Sequence, residues 1–278
     1  MKNIKLYIAL FIISLSVISC EDVVDVDLDT APPKLVVDAS IKWEKGTAGE
    51  NQRIKLTTTT DFYSNTVPAA TGAVITVTNI TPSTPVTFQF IEDGQTGEYL
   101  CTNFSPVINN EYILTISYKG QTYTSKSNFM PTPIIAATEQ SVKPGIDGKD
   151  VYEIKFYWQD NGTEDNFYLV GAKNASIVYP EYGVLSDEFF QGNSMFALYR
   201  DDELKKGDII QFSLQGITEQ YSNYMNKLLN IAGSDGGSPF ATPPATVRGN
   251  IINQTNPNDY PLGFFHLSEI DSDTYTIQ

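Results

Sequence analysis

Short runs in which apolar and polar residues alternate recur along most of the chain, and this period of two restricts the fold more than any other feature. Lys34–Ile41 is the first. Arg53–Thr60, Ala73–Asn79, Val86–Ile91, Glu98–Thr102, Glu111–Tyr118 and Gln121–Ser127 follow. Gly, Pro, Asn and Asp separate the runs, as expected of strands joined by turns. Alternation buries one face of each strand, which implies sheets packed face to face. Lys119-Gly120 is a tight hairpin signal between the last two runs.

Pro131 and Pro133 stiffen the chain and break any ladder, marking a boundary. Beyond it the pattern resumes at Val151–Trp158, Asn166–Gly171, Ala175–Tyr179, Met195–Tyr199, Asp208–Leu214, Val247–Ile252 and Leu262–Leu267. One stretch departs from it. Over residues 219–232, Tyr221, Tyr224, Met225, Leu228 and Leu229 share a helical face, with Thr218 as N-cap and Gly233 as C′ residue. Ser234–Pro244 is too rich in Gly and Pro for regular structure. The expectation is an all-β fold: two packed β-sandwich-like modules, 32–130 and 131–278, with one short amphipathic helix in the second. Of the 278 residues, 41% are hydrophobic and 16 are Tyr, which suits half-buried pleated surfaces.

The amino terminus carries a different signal. Lys2 and Lys5 form a basic n-region before an apolar stretch, Leu6–Val17, too short to span a bilayer. Val17-Ile18-Ser19-Cys20 then fits a lipobox, with a branched apolar residue three before the Cys and a small residue directly before it. Residues 1–19 read as a signal peptide and Cys20 as the acylated first residue of the mature chain, carrying fatty chains such as palmitate. Each buried CH₂ contributes ~0.8 kcal/mol, so several chains hold a protein on a membrane almost permanently. Residues 20–31 form an acidic tether that is either a solvated spacer or, by its resemblance alone to the acidic tags of Bacteroidetes lipoproteins, an export signal for the outer membrane. The net charge of −15 excludes nucleic acid as a partner and gives no electrostatic attraction to anionic lipid.

Catalytic sets are sparse. His266 stands alone in Phe264-Phe265-His266-Leu267, and alternation places it on the polar side of a strand or at the sheet end. No Gly-x-Ser-x-Gly surrounds any Ser, and one His with one free Cys supplies too few zinc ligands. With Cys20 acylated, Cys101 reads as a buried thiol acting as a small hydrophobe. Asp25-x-Asp27-x-Asp29 lacks the Gly and Glu of an EF-hand, and Asp160–Asp165 reads as an oxygen-rich turn. No metal and no cofactor is expected. Carboxylates at Glu181, Asp187, Glu188, Asp201, Asp202 and Glu203 leave open a hydrolase of polysaccharide or peptide. Tyr179, Tyr182, Phe189, Phe190 and Phe196 are the candidate ligand- or partner-binding residues, as ring platforms on loops; the alternative is a satellite core beneath the loops.

Several ordered segments resemble one family. Cys20-Glu21-Asp22-Val23-Val24-Asp25-Val26-Asp27-Leu28 with Pro33-Lys34-Leu35-Val36-Val37 is similar to the start of a Bacteroidetes lipoprotein family, domain of unknown function 4249. Gly72–Thr78, Gly97-Glu98-Tyr99, Tyr112–Ile116, Ser186–Phe190, Ser238-Pro239-Phe240 with Pro243–Val247, and Leu262–Phe265 fit the same family. The resemblance implies an envelope lipoprotein, periplasmic or at the cell surface, often encoded beside TonB-dependent receptors, and it implies no catalytic residues. The first module also resembles prealbumin- or Ig-like sandwiches, a likeness of fold alone. The expectation is a non-catalytic, lipid-anchored accessory or binding protein of an outer-membrane uptake system, held by Cys20 and partnered by a TonB-dependent receptor. A structural or adhesion protein is the further alternative.

Overall fold

A computed structural model describes residues 32–61, 64–145, 148–233 and 247–278. The expected signal peptide, Cys20, the acidic tether and the loop Ser234–Pro244 lie outside the described residues. Residues 33–278 form one compact unit.

Among the described residues the strands are β1 (Leu35–Glu44), β2 (Gln52–Thr58), β3 (Val74–Asn79), β4 (Val86–Glu92), β5 (Glu98–Cys101), β6 (Glu111–Tyr118), β7 (Gln121–Met130), β8 (Ala137–Pro144), β9 (Asp150–Gln159), β10 (Phe167–Lys173), β11 (Glu181–Ser186), β12 (Ser194–Arg200), β13 (Ile209–Ile217), β14 (Ile252–Asn253) and β15 (Leu262–Thr276), and the helix is α1 (Glu219–Gly233). The fold is all-β, as the alternation implies.

The first module closes on itself. Pairings run β1–β2–β5–β4–β3–β6–β7, and β15 joins β7 to β1 in parallel on both sides. Inward residues of these eight strands, among them Ile41, Leu56, Tyr99, Tyr112, Leu114 and Phe129, make one core. β6 and β7 meet at Lys119 (φ 48) and Gly120 (φ 74). Both conformations are left-handed, as a two-residue primed turn requires.

The second module is a sandwich. One layer is β11–β10–β13–β15 and the other β12–β9–β8. Ile154, Phe156, Tyr199, Ile210 and Phe212 fill part of the gap; Trp158, Tyr168, Met195 and Leu214 fill the rest. Helix α1 covers the opposite face of the first layer. Tyr221 and Met225 pack on Leu169, Ile217 and Phe264, and the Thr218 hydroxyl accepts the Tyr221 N–H at the cap. Tyr224 and Leu229 of the expected helical face pack there partly buried, while Leu228 is left 39% exposed.

β15 serves both modules. Its Phe265 and Leu267 point into the first core, Phe264 meets the helix, and residues 270–276 pair with β13. The junction at residues 130–133 is pinned too. The Thr132 hydroxyl donates to the Glu269 carbonyl and accepts the Gly216 N–H.

Three sequence expectations need correction. Ala175–Tyr179 is a turn rather than a strand. The Asn174 side-chain oxygen accepts the N–H groups of Ser176 and Ile177, an Asx turn that competes with any ladder. Val247–Ile252 contributes only its last residue to a strand. There the side chain of Asn250 takes the place of a strand partner, donating to the Phe265 carbonyl and accepting the Phe265 N–H. His266 is not on a polar face: it is 3% exposed beneath α1, because the helix covers the side of β15 that alternation left open. β8 and β11 were not anticipated.

Candidate functional site

Loop 187–193 connects the edge of one layer to the edge of the other. β11 ends the larger sheet and β12 ends the three-stranded one. Between these two edges lies a cavity of about 440 Å³ whose apolar walls include Leu185, Phe190, Met195, Phe196 and Leu198. Phe190 and Phe196 are 44% and 42% exposed. Exposed aromatic rings grouped around a cleft are the usual anchors of binding surfaces.

Two buried carboxylates shape the loop. Asp187 accepts the Asn166 N–H through Oδ2 at 2.8 Å, and its own carbonyl accepts the Phe190 N–H. Asp160 accepts the Tyr168 hydroxyl at 2.7 Å and the Gly192 N–H at 2.9 Å. Gly162 and Gly192 touch backbone to backbone: a Cβ at Gly162 would lie 2.7 Å from the Gly192 Cα. Burial pushes the Asp187 carboxyl up from its ordinary range, and neighbouring Asp160 and Asp165 push the same way against the Asn166 N–H. The Asp187 charge is therefore a burden here, while its acceptor oxygen is needed. Asp187→Asn keeps an acceptor and is expected to be neutral or stabilising in urea unfolding. Asp187→Ala leaves the Asn166 N–H unpaired at a cost of about 1–3 kcal/mol. Equal losses in the two variants would contradict this account of the loop.

The five candidate aromatics separate. Phe190 and Phe196 share the cleft. Tyr182 turns to the other face of β11, where its ring lies over Gly171. There it lines a second cavity of about 310 Å³ with Tyr221, Tyr224, Asp38, Ser40 and Lys42. Tyr179 and Phe189 are 81% and 84% exposed on loops and line neither cavity. Beneath the second cavity, His266 stacks on Tyr221 with centroids 3.9 Å apart, and neither ring nitrogen has a hydrogen-bond partner. Sequence reading passed over Leu185, Met195 and Leu198. The signal for Met195 and Leu198 is that Met195-Phe196-Ala197-Leu198 is apolar on both faces of a strand; Leu185 carries none.

The candidate carboxylates divide as well. Asp187 is turned inward on loop hydrogen bonds. Asp201 accepts the Asn174 amide at the far end of the cleft, and Glu181 and Asp201 both act on Tyr199 there. Cys101 is free and buried. Among the described residues, no three His, Cys, Asp or Glu side chains are grouped to hold a metal ion, and no helix is long and apolar enough to cross a membrane.

A family model described as Domain of unknown function (DUF4249) matches residues 21–274. No curated protein matches the chain. Among solved structures, the chain is similar to the FN1–FN3 domains of chicken CNTN1, at 13% identity and a TM-score of 0.27, covering 67% of this chain and 62% of that one. It is also similar to a chain of a cytokine receptor complex, at 9% identity and a TM-score of 0.24, covering 65% of this chain and 82% of that one.

Proposed function

The chain belongs to the family described as domain of unknown function 4249, and from that membership we propose a non-catalytic binding module of the bacterial outer membrane. The observation that carries this reading is the cleft between the β11 and β12 edges, with Phe190 and Phe196 exposed at its mouth. Its walls are apolar and its neighbouring carboxylates are turned inward or placed at its ends, an arrangement suited to holding a partner. The lipobox ending at Cys20 supports a lipid anchor. The resemblance to envelope lipoproteins encoded beside TonB-dependent receptors supports such a receptor as partner.

Attachment and binding are tested separately. Labelled palmitate is expected to enter the natural protein and not Cys20→Ala, which leaves the membrane fraction. Membrane retention of unlabelled Cys20→Ala would sink the anchor. An outer-membrane receptor is expected to co-purify with the natural protein and to be lost with Phe196→Lys. Equal recovery with both would move the binding site away from this cleft.

A further inference from the structure

The two outer edges of the three-stranded sheet are built differently. β8 (Ala137–Pro144) carries Glu139, Lys143 and Pro144, the residues that blunt an edge against further pairing. The main chain of Gln278 also covers it through two hydrogen bonds with the Gln140 side chain. β12 carries one charge, Arg200 at its end, and among the described residues nothing pairs with its outer side. Its central residues, Met195 to Leu198, hold no charge and no proline, and Phe196 and Leu198 are 42% and 51% exposed. One side of β12 pairs with β9 over all seven residues. The other side forms the sheet edge at the cleft.

A bare edge presents alternate N–H and carbonyl groups, and the cleft adds apolar walls for side chains on either face of an incoming strand. Both ends of this cleft are acidic. Glu181 and Asp201 stand at one end, both acting on Tyr199. Asp165, which accepts the Gln191 amide of the loop, and Glu188 stand at the other. The chain as a whole is at −15, which disfavours a second copy of itself.

We propose that β12 accepts an extended peptide strand of a partner protein, apolar at its centre and basic at its flanks, which pairs with residues 194–200 and lays its side chains into the cleft. This deepens the binding-module reading and rests on it.

The test uses the lipid-free mature protein and a labelled nonapeptide of alternating Val and Thr flanked by Lys at both ends. The peptide is expected to bind and to slow amide exchange of residues 194–200. N-methylation of alternate amides on its pairing side should weaken binding tenfold or more, and so should Glu in place of the flanking Lys. Leu198→Lys, at an exposed position, is expected to keep the melting temperature and to abolish binding. Three results would overturn strand pairing: no binding, equal binding of the methylated peptide, or self-association through β12 that Leu198→Lys removes. If the receptor is still captured through Phe196 while methylated and plain peptides bind alike, this inference fails and the binding-module reading stands. Loss of both would remove both.

Discussion

Replacing Gly263 by alanine is expected to prevent folding, or to cost about 5 kcal/mol or more, a loss outside the common range for single substitutions. Gly263 sits at φ +97 in the parallel pairing of β15 with β1, directly opposite Val37. A Cβ there would overlap the Val37 carbonyl oxygen and lie 2.7 Å from its carbon. Neither group is a flexible side-chain end, so relief requires one strand to move. Gly249 presses on the Gly263 carbonyl from the other side, which blocks the obvious direction. Gly120→Ala is the control. It has a similar φ of +74 with nothing within 4 Å of a built Cβ, so only the left-handed conformation is penalised, at roughly 1–2 kcal/mol. Urea unfolding of both variants separates the two causes. Equal midpoints would mean that conformation, rather than the crossing of backbones, governs Gly263.

The second large effect is acid sensitivity centred on His266. Burial is the main reason its ring is held at a pKa of about 3, and the charge of Lys42 acts in the same direction. In the unfolded chain an imidazole titrates near 6.5. Between those values the unfolded chain takes up a proton that the folded protein refuses. Stability from this site is therefore fully present above about 6.5 and falls with pH below it, by about 1.4 kcal/mol per unit. Near pH 4 the loss is about 3 kcal/mol. His266→Leu fills the same space without a titrating group. Chemical denaturation of the two proteins at pH 7 and pH 4 should show the natural protein losing that much more than the variant. Parallel losses would show that the ring is hydrated or partnered in solution. Because Tyr221 stacks on this ring, near-ultraviolet circular dichroism should report the loosening of α1.

Parts of this architecture were legible residue by residue, and parts were not. The β6–β7 hairpin follows from Lys119-Gly120, since local turn chemistry fixes it. The helix follows from its 3.6-residue stripe and the Thr218 cap. β8 escaped notice because Ala137–Pro144 is polar on both faces, as an edge that avoids pairing is. β11 is short and contains Gly183. Ser176-Ile177-Val178-Tyr179 has strand composition, but Asn174 closes an Asx turn over its start. His266 was misplaced because alternation along β15 gives one face to the first core and says nothing about a helix that lies far off in sequence. The candidate site was half visible. Phe190 and Phe196 stood out as loop aromatics, yet their meeting depends on which strands end the two sheets, a property of topology alone.

β15 also bears on how the chain can come to its final form. A ribosome releases residues 35–130 long before residues 262–276 exist, and without the latter the first ring has a gap between β1 and β7. Its closure waits on partners more than two hundred residues apart, such as Val36 and Leu262, so the amino-terminal half stays open and pliable until that strand docks. The two halves should consequently melt together, and neither should survive as a separately expressed fragment.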